Sequence, residues 1–290
     1  GCSMKIKLKI AGITLTYQYN YERFLEDKIK QYQIDDHEST KYRLEVIITT
    51  DIKRHPGQYR KAGNREYIFT NDLDVVCGIP AKDENAISQQ VIFNKRENEI
   101  RIYINPEFFG DIPEQEYVMS GLAFLTIAQR EGYLPLHASA FSFKGDAILF
   151  SAPSQTGKST QARLWRERFP DEVRHINDDK PLLFEDDGTI YVAGTPFSGS
   201  APLNENIICP LKALIFLKQG KKNEIVRLKK EEALPLFIQN ILRPKEKEAW
   251  DKTFLLIERI MEKVPVYWFA ATPEIKAVDA AYEVIYNGGK

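Results

Sequence analysis

Apolar and polar residues alternate along residues 4–19, MKIKLKIAGITLTYQY, and this period of two predicts a half-buried pair of strands. YRLEVIIT (42–49) is a further strand candidate. AISQQVIFNKRENEIRIYINP (86–106) reads as a hairpin turning at Lys95-Arg96-Glu97-Asn98. KRHPGQYRKAGNRE (53–66) is polar with a Pro-Gly pair and is expected to be an exposed loop.

The texture changes near residues 105–113. PEQEYVMSGLAFLTIAQREG (113–132) has helical spacing, with Pro113 in the first turn and Gly132 at the stop. Val118, Leu122 and Leu125 are expected on its apolar face. LPLHASAFSF and DAILFSAP follow as strands around a Lys144-Gly145-Asp146 turn. KSTQARLWRERF then reads as a helix with Ala162, Trp165 and Phe169 near one face. Residues 172–194 give a strand, an acidic turn and a hairpin; Asp186-Asp187-Gly188 is a hairpin turn without chemistry. PLKALIFLKQ (210–219) is a buried-strand candidate. Residues 229–264 are helix-forming and interrupted at Pro244. VPVYWFAA is a last strand, and a last helix is expected to open with Thr272 as cap and Pro273 at its first position.

The chain has 290 residues, enough for one large or two ordinary domains; we place a strand-rich N-terminal domain at 4–110 and a second domain at 111–288. With 43% hydrophobic and 28% charged residues it has the composition of a globular protein with a real core. Lys and Arg number 40 against 41 Asp and Glu, so the balance points to neither a nucleic-acid nor a membrane partner. The uncharged run YVMSGLAFLTIAQ is shorter than the roughly 18 residues of a membrane helix. Gly1-Cys2-Ser3 reads as residues added before Met4, which leaves Cys77 and Cys209, far apart and outside any zinc spacing. A reduced, cytoplasmic protein is the expectation.

Candidate chemistry centres on SAPSQTGKST (151–160). A phosphate-binding loop reads G-x-x-x-x-G-K-[ST], between a strand and a helix, and this stretch has that setting. Ser154, Gln155, Thr156, Gly157, Lys158, Ser159 and Thr160 are the candidate nucleotide contacts. Backbone N–H groups at the helix start face phosphate oxygens, the Lys158 ammonium neutralises charge, and the Ser159 hydroxyl suits Mg²⁺. Ala152 replaces the first glycine of the motif, and Pro153 lacks an N–H donor. About twenty residues later INDDKPLL carries Asp178 and Asp179; phosphoryl transfer uses one carboxylate on the metal and another to accept the hydroxyl proton. His137, in LPLHASA, lies on the strand expected to pair with the loop strand. Weaker candidates are GTPFSGS (194–200) as a wall of the site and Arg243 as a phosphate contact, whereas Arg163 and Arg166 are expected to be solvated.

The order His137, loop, Asp178-Asp179 resembles the catalytic domain of HPr kinase/phosphorylases, within the phosphoenolpyruvate-carboxykinase-like group. The resemblance spans about residues 113–285 and is strongest over 134–200. It implies an α/β fold, α+β overall, in which a P-loop domain with a mixed sheet follows the smaller strand-rich domain. It implies a Mg²⁺-dependent kinase using ATP, GTP, ADP or pyrophosphate to phosphorylate a serine-like hydroxyl of a peptide, protein or small molecule. Lys158 and Ser159 carry over as phosphate and metal ligands, Asp178 as base, Asp179 as metal ligand, and His137 as a neighbour of the transferred group. The two aspartate roles are open to exchange. No Arg-Gly dipeptide occurs, so the family's Arg-Gly signature is missing, and with it the expectation of HPr as substrate. The match is better to HPr-kinase-like proteins of the kind that accompany peptide-maturation enzymes. The family also implies a homo-oligomer. The alternative is a nucleotide-binding partner protein with little catalysis.

Overall fold

The computed structural model describes residues 3–153, 156–197 and 204–288. The chain is a mixed α/β structure with two mixed sheets, and it divides into two compact units, Gly1–Phe124 and Leu125–Lys290.

The first unit is built on one eight-stranded sheet. Its strands are β1 (Met4–Ile10), β2 (Ile13–Tyr19), β3 (Tyr42–Ile48), β4 (Arg60–Ala62), β5 (Arg65–Phe69), β6 (Leu73–Gly78), β7 (Gln89–Asn94) and β8 (Glu99–Ile104), in the order β1-β2-β3-β8-β7-β6-β5-β4. The alternation that predicted strands also selects the face: Ile13, Leu15, Tyr17 and Tyr19 of β2 are buried, as are Tyr42, Leu44 and Val46 of β3. The polar segment 53–66 is a loop only in part, because β4 and β5 form a hairpin within and beyond it. All three side chains of β4 are exposed. An edge strand held by backbone bonds needs no apolar face, so periodicity did not reveal it.

Helix α1 (Ile112–Arg130) begins in the first unit and ends in the second. Its buried stripe is the expected one only in part. Leu125 is buried as expected, but Val118 and Leu122 are 44% and 49% exposed, and Tyr117, Phe124, Ile127 and Ala128 are buried. Both stripes fit helical spacing, and the larger ring side chains took the core side.

The second unit holds a nine-stranded sheet with helices on both faces. Its elements are β9 (Leu134–Pro135), β10 (Ala138–Phe143), β11 (Asp146–Ser151), α2 (Lys158–Arg168), β12 (Val173–Asp179), β13 (Leu182–Asp186), β14 (Thr189–Ala193), β15 (Ile208–Gln219), β16 (Glu224–Arg227), α3 (Lys230–Asn240), α4 (Lys247–Lys263), β17 (Val266–Ala271) and α5 (Lys276–Asn287). The path runs β12-β10-β11-β15-β14-β13-β9, with β17 on β15 and β16 on β17. The strand period sorts the core into two layers. Phe141, Phe143, Ile148 and Phe150 meet Trp165 of α2 and Ala281 of α5 on one face. Ala138, Ala140, Ala147 and Leu149 meet Phe237 of α3 and Ile257 of α4 on the other. The hairpin turns are as expected: Lys144 and Gly145 both have positive φ, as do Asp187 and Gly188. The last helix begins later than expected, at Lys276. Thr272 does not cap it, because its N–H and hydroxyl both donate to Asn223 Oδ1. Among the described residues no helix is long and apolar enough to cross a membrane.

Candidate functional site

Sheet register assembles the candidates. β10 runs antiparallel to both β11 and β12, and its first residue, Ala138, lies opposite Ser151 on one side and Asp179 on the other. The start of β10 therefore meets the ends of the other two strands, and His137, the loop after β11 and the Asp178-Asp179 pair share one edge. Ser151 Oγ donates to the His137 carbonyl at 2.8 Å, and the His137 N–H donates to the Asn240 carbonyl at 2.7 Å. These bonds fix the backbone from which the imidazole projects.

Residues 152–157 join β11 to α2, and Ser154 and Gln155 among them lie outside the described residues. Gly157 caps α2 with φ +100°, a conformation that disfavours any side chain. Among the described residues a Cβ there would meet Leu217 alone, at 3.9 Å, so the requirement they impose is conformational rather than steric. Thr156 Oγ1 donates to the Pro153 carbonyl at 2.7 Å. Lys158 is 9% exposed, and its ammonium folds back onto the carbonyls of Ala152 (2.9 Å) and Pro153 (3.2 Å). Burial lowers its pKa, Asp178 and Asp179 work against that, and Lys180 adds to it.

Ser159, in the first turn of α2, donates to both carboxylate oxygens of Asp178 at 2.9 Å. Thr160 lies beside it and lines a cavity with Asp178. Asp179 is 3.4 Å from the Lys180 ammonium and 3.7 Å from His137 Nε2. The His137 pKa is lowered, first by burial and then by Lys158 and Lys180, with the two aspartates opposing. Its ring is thus neutral near pH 7. Ser159, Asp178 and Asp179 offer oxygen donors alone, which suit a hard cation such as Mg²⁺. No group of three or more His, Cys, Asp or Glu poised for a metal occurs among the described residues. Mg²⁺ ordinarily takes one or two carboxylates and fills its shell with water and phosphate, so the donor set fits it.

Asn177, at this edge, was not singled out in the sequence. Asn177 is fully buried; its Oδ1 accepts from the N–H groups of Asp179 (3.1 Å) and Lys180 (3.0 Å), and its Nδ2 donates to the Thr195 carbonyl and hydroxyl, both at 3.2 Å. An asparagine inside a strand pattern was the available signal. Gly194 allows the wall to close: a Cβ there would sit 2.1 Å from the Glu205 carbonyl and 2.6 Å from that of Ile176. The described part of GTPFSGS thus braces β12, while Ser198, Gly199 and Ser200 lie outside the described residues. Arg243 is exposed between α3 and α4.

Arg166 is not simply solvated. Its guanidinium donates to His175 Nδ1 at 3.3 Å. A guanidinium only donates, so Nδ1 accepts and the neutral ring carries its proton on Nε2. Burial pushes the His175 pKa down to about 4, with Arg166 lowering it further and Asp178 opposing. Nε2 is buried without a hydrogen-bond partner among the described residues. Such a donor costs about 1–3 kcal/mol when left unpaired.

Among solved structures, the HPr(Ser) kinase/phosphatase from Coxiella burnetii aligns with 44% of this chain and 97% of its own, at 12% identity and a TM-score of 0.27. A likeness that loose carries no argument about fold or activity. No curated protein matches the chain. The family described as SynChlorMet cassette protein ScmC matches residues 116–272, which hold the loop, His137, both aspartates and more than half of the sequence. The chain therefore belongs to the ScmC family.

Proposed function

We propose that the chain is a Mg²⁺-dependent phosphotransferase that moves the γ-phosphoryl group of ATP to a hydroxyl on a peptide, protein or small molecule. The observation that carries this reading is the Ser159–Asp178 contact at the mouth of a Lys158-bearing loop. It joins a phosphate-binding helix start to a carboxylate able to take a proton. Lys158 leaves its carbonyl partners for the phosphate oxygens and stabilises charge as the bond to the leaving diphosphate breaks. The acceptor oxygen bonds to the γ-phosphorus and its proton passes to Asp178. Ser159 and Asp179 would hold Mg²⁺, which would neutralise charge on the phosphate oxygens. The neutral His137 ring lies beside Asp179, 3.7 Å away, where it would neighbour the transferred group.

One observation favours exchanging the aspartate roles. The hydroxyl assigned to the metal touches Asp178 rather than Asp179. Against that, Asp178 lines a cavity with room for one end of an acceptor, while Asp179 is tied to Lys180.

The test is transfer of labelled phosphate from γ-³²P-ATP to a library of serine-containing peptides. We expect Asp178→Asn to lower labelling by roughly 10²–10⁴-fold with Mg-ATP binding retained. Equal labelling by Asp178→Asn would remove Asp178 as base. Binding without transfer in the wild type would favour a nucleotide-binding partner protein.

A further inference from the structure

A cavity of about 200 Å³ opens beside Asp178, lined by Ser159, Thr160, Ala162, Arg163, Arg166, His175 and Asp178. It runs along the flank of α2. From Ser159 to Arg166 is seven residues, about 10 Å of helix. The far end therefore lies well away from the loop that faces the donor phosphates. That end is cationic: Arg163 and Arg166 are one turn apart on the same side of the helix. Arg163 pairs with Glu167 at 2.6 Å in an exposed and therefore weak bridge. Arg166 has no carboxylate partner among the described residues. The two guanidinium groups thus stand against the carboxylates of Glu167, which is exposed, and of Asp178, whose oxygens already accept from Ser159. His175, 7% exposed, lines the same wall and accepts from the Arg166 guanidinium through Nδ1.

We infer that this cavity is an anion subsite for the phosphoryl acceptor: Arg166, held by His175 and with Arg163 one turn away, takes a carboxylate or phosphate group of the molecule whose hydroxyl meets Asp178. The inference rests on the kinase reading and sharpens it, because it makes the acceptor an anionic hydroxy compound or a residue bearing both groups. The small volume suits one acidic end of such a molecule rather than a whole ligand of drug size. A planar guanidinium matches the paired oxygens of either anion.

The test uses three small probes that share a hydroxyl skeleton: glycerate, glycerol 3-phosphate and uncharged glycerol. Each is titrated into the full chain while the ¹⁵N shifts of the His175 ring are followed. The wild type, Lys158→Ala and Arg166→Gln are compared, with Arg163→Gln as a second, exposed variant should Arg166→Gln fail to fold. We expect at least one anion to move the His175 signal in the wild type and in Lys158→Ala. Its half-saturation should weaken roughly tenfold or more in the arginine variant, as loss of one charged hydrogen bond requires. Whichever anion binds identifies the carboxylate or the phosphate as the group recognised. Anions no better than glycerol, or binding lost in Lys158→Ala and unchanged in the arginine variants, would overturn the subsite. Mg-ATP protection against heating is read on the same proteins. Its absence beside intact anion binding would sink the kinase reading, and the acceptor role with it, while the anion site stood.

Discussion

The residues at the edge of the second sheet are tuned by burial as much as by charge. Lys158, His137 and His175 all have their protonated forms disfavoured by it. For His175 the consequence is measurable. Its pKa is about 4 in the folded chain, against the ordinary value of 6.5 when unfolded. Above that value both states are neutral and the residue adds no pH dependence. Between it and pH 4 the unfolded chain binds the proton first, so stability falls as the pH is lowered through this window. A shift of this size corresponds to up to about 3 kcal/mol. Urea midpoints at pH 7.5 and pH 4.5 should differ by more in the wild type than in His175→Gln. His137 acts in the same direction and remains in both proteins. Equal differences would show that the His175 ring is not held neutral. None of this was legible in the sequence: a histidine in EVRHIND gives no hint of what packs around it, and Arg166 was read as a solvated helix residue.

At the scale of elements, much was legible. The strand–loop–helix of 146–168 and the hairpins at 144–145 and 187–188 were written in period and in turn residues. What escaped was whatever depends on partners distant in sequence. The buried stripe of α1 had a rival at equal spacing, and Thr272 was claimed by Asn223 instead of by the helix after it. Asn177 is the clearest case. It ties the end of β12 to Thr195 and fixes the two backbone N–H groups after Asp178. Replacing it by Ala removes the acceptor for both and the donor to Thr195. We expect a loss of about 2 kcal/mol or more, read by thermal or urea unfolding. Phosphoryl transfer should also fall further than the stability loss explains, because Asp179 loses its backbone anchor. Wild-type turnover in a destabilised but folded Asn177→Ala would contradict that anchoring role.

At the scale of the whole molecule, the two units each carry a sheet of their own, and the ScmC-family match reaches from α1 through the end of β17. The first unit contributes none of the residues proposed for chemistry. Of its strands β1, β2, β3, β7 and β8 were readable and β4, β5 and β6 were not, nor was their order, since β3 pairs in parallel with both β2 and β8, across long connections that periodicity does not record. Phosphoryl transfer by this chain requires that the loop of the second unit bind the phosphates of a nucleotide. A ligand that binds only the folded chain must raise its stability, by about 2.7 kcal/mol at a hundredfold excess over its dissociation constant. The most direct measurement is therefore thermal unfolding of the wild type and Lys158→Ala, each with and without Mg-ATP. We predict a clear rise in midpoint for the wild type and little or none for Lys158→Ala. No rise in the wild type, or the same rise in both, would contradict the claim.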